Sequence, residues 1–223
     1  MIFRQLQVWI DPVRRHGPEA MAVDEWLLET AVAPVLRVSQ WEGEWGTLGY
    51  FGGLEQARNA LPGVDWVRRW TGGGVVDHRL DWTYTVVAPS GEVLATRRGA
   101  ESYRWIHEAL VAALQNELRG VRLSTGEAQT GDAMCFDNPV SHDLVTADGQ
   151  KLAGAGQRRT RHGLLHQGSV SLSCAEVTSQ QRAEFLAAGL AADWHLCDFM
   201  VPTARISDLV RVRYANDAWT RRR

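Results

Sequence analysis

The chain has 223 residues, a formal net charge of −2, 45% hydrophobic and 22% charged residues. This is the balance of an ordinary globular protein, long enough to bury one substantial core. No basic block stands out before Arg221–Arg223, no eighteen apolar residues run together, the first ten residues lack a secretory pattern, and Cys135, Cys174 and Cys197 show no CxxC spacing. These features argue against a general nucleic-acid surface, a membrane-spanning helix, a disulfide framework and structural zinc, and the expected setting is cytoplasmic and reduced.

Taken in chain order, Met1–Ile10 alternates loosely and predicts a short strand. Ala20, Val23, Leu27 and Ala31 recur at helical spacing and predict a helix over Pro18–Ala33, with Asp24 on or near its apolar face and Pro34 as its stop. Val35–Trp41 alternates as a strand, and the glycine-rich, aromatic Gly43–Gly53 reads as a loop. Val64–Trp70 is a strand running into Thr71-Gly72-Gly73-Gly74. Trp82–Ala88 is β-branched or aromatic at nearly every position, which suits a strand buried on both faces. Ile106, Leu110, Leu114 and Leu118 stripe a helix over Ser102–Leu118 that Gly120 stops. Asp148-Gly149, between Asp143–Thr146 and Lys151–Ala153, signals a hairpin, and Leu164–Leu172 alternates as another strand. Thr178-Ser179-Gln180-Gln181 reads as a capping box opening a helix that ends near Leu190. Strands interleave with helices but hairpins are present, so the expected class is α/β in the α+β sense: a mixed sheet with packed helices, in a single domain over 1–223.

Three segments can carry chemistry. Arg68-Arg69-Trp70-Thr71-Gly72-Gly73-Gly74-Val75-Val76-Asp77-His78 sets a glycine run after a strand. Backbone amides there can approach a ligand closely, and two arginines can hold phosphate or carboxylate oxygens. The spacing is that of neither a Walker A loop nor a dinucleotide fingerprint, and a flexible hairpin with solvated arginines would show the same run. The second segment holds Lys151, the only lysine among 24 basic residues, just after the tight turn and ahead of small residues that leave room for a ligand chain. A compact ammonium there can stabilise charge developing on a carbonyl or phosphate oxygen. His166, further along, could carry a proton, although a lone histidine on a strand is more often a hydrogen-bonded core residue. The third segment, Ala133–Pro139, places Cys135 beside Asp137, Asn138 and Pro139, where an exposed thiol could act as a nucleophile if Lys151 or His166 lies close. Cys174 and Cys197 read as packing only.

Together the blocks RRWTGGGVVDH with TYTVV, CFDNP with DGQKLAGAGQRR, and LLHQGSVSL resemble the lipoate–protein ligase and octanoyltransferase family, related to the biotin ligase catalytic domain. Weaker similarity in EAMAVDEWLL, LRVSQW, ISDLV and YANDAW extends the resemblance over nearly the whole chain. The cysteine-containing block is most similar to octanoyltransferases that use a cysteine at this place. The resemblance implies Cys135 and Lys151 as catalytic residues, with Arg69, Thr71, Gly72, Gly73, Gly74, His78, Gly154 and His166 at the acyl site. It implies an acyl carrier protein as donor, a lipoyl domain or glycine-cleavage H protein as acceptor, no ATP or metal, and a monomer. The second reading is an ATP- and Mg-dependent lipoate–protein ligase; the third is a non-catalytic binder of lipoyl domains or acyl ligands. Two departures matter. The family has His-Asp after the glycine loop, whereas here Arg79 follows His78 and Asp81 lies beyond. The family's His-Gly-Ser is here His166-Gln167-Gly168-Ser169, a one-residue shift that sends the imidazole to the opposite strand face.

Overall fold

The computed structural model describes residues 1–126, 140–172 and 177–222. Strand β1 (Phe3–Arg15), helix α1 (Gly17–Thr30) and strand β2 (Val35–Trp41) form a crossover that makes β1 and β2 parallel neighbours. The strand predicted to end at Ile10 continues to Arg15, because the register shift between Ile10 and Arg14 absorbs Pro12 as a local irregularity. Helix α1 ends three residues earlier than its spacing suggested, and its buried residues run almost all round it, Asp24 and Glu25 included.

The long antiparallel strands are β6 (Asp81–Pro89), β9 (Lys151–Thr160) and β10 (Gly163–Ser171). With β7 (Arg122–Leu123), β8 (Leu144–Val145) and β11 (Ala191–Leu196) they complete an eight-stranded mixed sheet of order β11-β1-β2-β6-β10-β9-β8-β7. The Asp-Gly turn forms as read, with Gly149 at φ 89°. A second sheet of order β4-β3-β5 joins β3 (Trp45–Leu48), β4 (Asp65–Arg68) and β5 (Val76–Asp77). Strand β3 lies inside the stretch expected to be a loop. Its Gly46 is where the Trp66 ring packs: an added Cβ would meet that ring at 2.9 Å. The glycine content that signals a loop here permits close strand packing.

After the short helices α2 (Leu54–Ala60) and α3 (Val93–Thr96), helices α4 (Gly99–Leu114) and α5 (Ser179–Leu190) cover one face of the large sheet. Ile106, Leu110 and Leu114 bury the stripe seen in the sequence, and α5 opens with the expected reciprocal box between Thr178 and Gln181. Helix α1 and α6 (Thr203–Leu209) cover the other face around Val23, Leu27, Ile206 and Leu209. Cross-strand register then assigns side chains to faces. Arg37, Thr85, Gln167 and Gly156 stand in one row across four strands, and Ser39, Thr83, Ser169 and Gly154 in the next row on the same face. The opposite face carries Leu36, Val86, His166 and Gln157, then Val38, Tyr84, Gly168 and Ala155. The sheet thus has an apolar back and a front that turns polar where the small sheet approaches it. No described helix is long and apolar enough to cross a membrane.

Candidate functional site

A pocket opens between the two sheets, its wall mostly apolar in surface. The small sheet supplies Arg69, Val76 and His78; the large sheet supplies Gly154, Gly156, Gln167 and Ser169; Met21 and Asp24 reach it from α1. Glycines at 154 and 156 leave room where side chains would fill it. A Cβ on Gly156 would stand 2.4 Å from Gly72 O, and one on Gly154 would stand 2.9 Å from Lys151 Nζ. The glycine loop therefore lies across Gly156, and the lysine head folds back over Gly154.

The loop is held from several directions. Gly73 adopts φ 98°, open to glycine and strained for a side chain. Arg69 donates from Nη2 to Gly72 O at 3.1 Å and to Gly74 O at 2.9 Å, and from Nη1 to Thr47 Oγ1. Tyr50 N donates to Thr71 O at 2.8 Å. Thr71 Oγ1, fully buried, donates to Gln167 Oε1 at 2.8 Å. The resemblance assigned only Arg69 to the acyl site, and either arginine could offer itself to ligand oxygens. Arg68 does not: it is buried and donates to the carbonyls of Gly49, Tyr50, Gly52, Trp219, Thr220 and Arg222.

His78 lines the pocket as expected, and Asp81 supplies the carboxylate that the Arg79 departure put in question. His78 Nδ1 is 2.7 Å from Asp81 Oδ2, His78 Nε2 is 2.7 Å from Thr47 Oγ1, and Trp41 stacks on the imidazole at 4.1 Å. Ser169 and Thr83 also donate to Asp81 Oδ2. A hydrogen-bonded line thus runs from Asp81 through His78 and Thr47 to Arg69.

Lys151 Nζ lies 2.6 Å from Asp143 Oδ2, with both side chains almost wholly buried. The same carboxylate accepts from Val140 N at 2.8 Å and from the Tyr103 hydroxyl, which in turn accepts from Ala155 N at 2.9 Å. An ammonium fixed by a buried carboxylate keeps one direction, so it can point at one oxygen without reorganising.

His166 is corrected by the structure. It was carried into the acyl site by resemblance, yet it faces the back of the sheet, fully buried, with Nε2 3.2 Å from the Tyr84 hydroxyl and Nδ1 3.0 Å from Gln157 Nε2. Burial drives its pKa well below the usual histidine range, so it stays neutral. Gln167 takes the pocket-facing place instead. Its Nε2 donates to Asp24 Oδ2 at 2.7 Å, and Asp24 is paired through Arg37 with Asp11 and Arg15. At Asp11 burial opposes ionisation, but the hydrogen bonds and charges of Arg15 and Arg37 outweigh it and hold the carboxyl below its ordinary range.

The expected sites therefore gather in part. Arg69, His78 and Gly154 line one pocket, Thr71 and Gly72–Gly74 lie across it, and Lys151 sits at the Gly154 end. Cys135 and its whole block, like Cys174, lie outside the described residues. Sequence reading missed Thr47, Tyr103, Asp143 and the role of Gln167. For Gln167 and Asp143 a signal existed: alternation puts Gln167 on the face of Ser169, and the Asp-Gly turn brings Asp143 back toward Lys151.

The fold is that of the lipoate-protein ligases. Among solved structures, lipoate-protein ligase A bound with ATP matches with TM-score 0.75 at 18% identity, over 99% of this chain and 98% of that one. A chain from the bipartite lipoate protein ligase system of Thermoplasma acidophilum matches with TM-score 0.70 at 16% identity, over 99% and 96%. Residues 16–210 match the lipoyl protein ligase A/B catalytic domain, and the chain belongs to that family. Octanoyltransferase LipM of Carboxydothermus hydrogenoformans is 34% identical over 178 residues, 74% of this chain and 65% of that protein. Octanoyltransferase LipM of Brevibacillus brevis is 32% identical over 170 residues, 68% and 60%. The chain spans less than two thirds of the length of these relatives.

Proposed function

We propose that this chain is an acyltransferase of protein lipoylation, moving an octanoyl group from an acyl carrier protein to a lysine of a lipoyl domain or glycine-cleavage H protein. The observation that carries the reading is the mostly apolar pocket between the two sheets, with the glycine loop packed on Gly156 and the Lys151 ammonium on Gly154, two residues of its wall. Such a pocket suits an alkyl chain, and the polar groups suit the carbonyl at its end. The similarity to octanoyltransferases points the same way.

In this reading the Cys135 thiolate attacks the donor thioester carbonyl, the C–S bond to the carrier breaks, and the carrier thiol leaves with a proton. The acceptor amine then attacks the Cys135 thioester, the new C–N bond forms, and Cys135 leaves as thiolate while the amine proton passes to the medium. Lys151 and the amides of Gly72–Gly74 stabilise the oxyanion in both steps. No ATP or metal enters, because the thioester is already activated.

Intact-protein mass spectrometry after mixing with octanoyl-acyl carrier protein, without ATP, tests the reading. A gain of one octanoyl group, removed by hydroxylamine and missing in Cys135→Ser, supports it. Modification of an apo lipoyl domain only when lipoate, ATP and Mg are supplied would replace it with the ligase reading.

A further inference from the structure

We infer that Gln167 is a positioning residue that fixes the glycine loop over the acyl pocket. The inference rests on the acyltransferase reading for its kinetic consequence, but not for its structural part. Residues 71–75 belong to the connection between β4 and β5, and most of their tethers return to that same side: Arg69 to the carbonyls of Gly72 and Gly74, and Tyr50 to the carbonyl of Thr71. Among the described residues, the hydrogen bond from Thr71 Oγ1 to Gln167 Oε1 is the one that ties these residues to the eight-stranded sheet. The pocket lies between the two sheets, so this bond spans it.

The far end of Gln167 is equally committed. Nε2 donates to Asp24 Oδ2 at 2.7 Å and lies 3.4 Å from Met21 Sδ. Asp24 is itself immobilised, with Oδ1 on Arg37 Nη1 at 2.6 Å and Oδ2 also accepting from Thr85. The position therefore requires an acceptor toward the loop and a donor toward a buried carboxylate, with no added charge. An amide meets all three demands in one side chain. A carboxylate in its place would face Asp24 without a donor; an aliphatic side chain would leave both Thr71 and Asp24 short of a partner.

The amides expected to meet the oxyanion belong to Gly72–Gly74, next to the tethered threonine. A loop free to lift from Gly156 would still let an acyl chain enter, but would present those amides in the right place for a smaller fraction of the time. The defect therefore falls on turnover more than on donor binding.

Two variants and one control test this, read by hydrogen exchange of the amides of residues 71–76 and by steady-state transfer from octanoyl-acyl carrier protein. Thr71→Val removes the hydroxyl at constant shape, Gln167→Leu removes the clamp, and Thr71→Ser keeps the hydroxyl. The first two should each speed loop exchange about tenfold, as loss of one net hydrogen bond implies, and lower kcat by about the same factor with KM within about twofold. Their double variant should be no worse than Gln167→Leu alone, since both cut the link between Thr71 and Gln167, and Thr71→Ser should keep wild-type exchange of the loop amides. Unchanged loop exchange in both single variants, additive effects in the double, or a loosened loop with unchanged kcat would each overturn the inference. A wild-type protein that transfers no octanoyl group would sink the acyltransferase reading instead, while the exchange experiment still decides the clamp.

Discussion

Neighbouring residues on β10 live under opposite electrostatic regimes. His166, on the back, meets Tyr84, Gln157 and the edge of His107 inside the main apolar core. There burial rules: it pushes His166 well down, His107 to about 4 and the Tyr84 hydroxyl up, so these three groups are neutral near pH 7. Gln167, on the front, joins a region where Asp11, Arg15, Asp24 and Arg37 are buried in mutual contact. Pairing rules on that side, and charge persists out of water because each ion faces its opposite. One strand therefore separates three titratable groups held neutral from a cluster of paired ions, and the pocket lies on the side of the ions.

The largest break in this comparison should come from Lys151→Met. In the proposed reading it removes an oxyanion donor, predicting a loss of about 10²–10³ in kcat. It also strands Asp143, predicting a loss of about 3–5 kcal/mol in urea unfolding. Adding Asp143→Asn should restore most of the stability and none of the turnover; recovered turnover would return Lys151 to a structural role. Next come two matched glycines. On Gly168 a methyl group would stand 2.2 Å from the Tyr84 ring, so Gly168→Ala should cost about 3 kcal/mol of stability while the folded fraction works normally. Gly156→Ala should cost about 1–3 kcal/mol but lower kcat about tenfold, because it pushes on Gly72 and Thr71. Equal kinetic defects in the two would deny that the faces differ.

The back face also predicts a pH response. Above pH 6.5 His107 is neutral whether the chain is folded or not. As pH falls below that value the unfolded chain takes up a proton that the folded one refuses until about pH 4. Stability should therefore drop across this window by about 3 kcal/mol from His107 alone, with His166 adding in the same direction. Urea midpoints measured from pH 7 to pH 4 check it, and His107→Phe should flatten the profile. The smallest effect on chemistry is expected from His166→Phe: about 1–3 kcal/mol of stability from the unpaired Tyr84 hydroxyl, with kcat within about twofold. A large kinetic loss would bring the imidazole back into the site.

What the sequence disclosed follows the range of the forces involved. The Thr178 capping box and the Gly149 turn are local and formed as read, and α4 buries Ile106, Leu110 and Leu114 of its stripe but ends at Leu114, four residues before the expected end. Even the displacement of His166 was legible, because a period of two assigns faces without a partner strand. The ion chain from Arg15 to Asp24 was not, although Asp24 had been noticed near an apolar face: Arg37 meets Asp11 from 26 residues away. Strand β3 was hidden for a different reason, since the glycine that admits a neighbouring tryptophan looks the same in a string of letters as one that makes a bend. Arg68 and Arg69 looked equivalent, and only the tertiary fold separates the one filled by carbonyls from the one at the pocket.

Arg68 also sets a timetable. Half of its carbonyl partners lie in the Gly49–Gly52 turn, already made when it is, but those of Trp219, Thr220 and Arg222 arrive more than 150 residues later. At roughly 5–20 residues per second that is a wait of roughly 8–30 seconds, during which the small sheet carries a guanidinium still partly wet. The wall of the pocket can be sketched early in translation, but it can be sealed only once those later residues have left the ribosome.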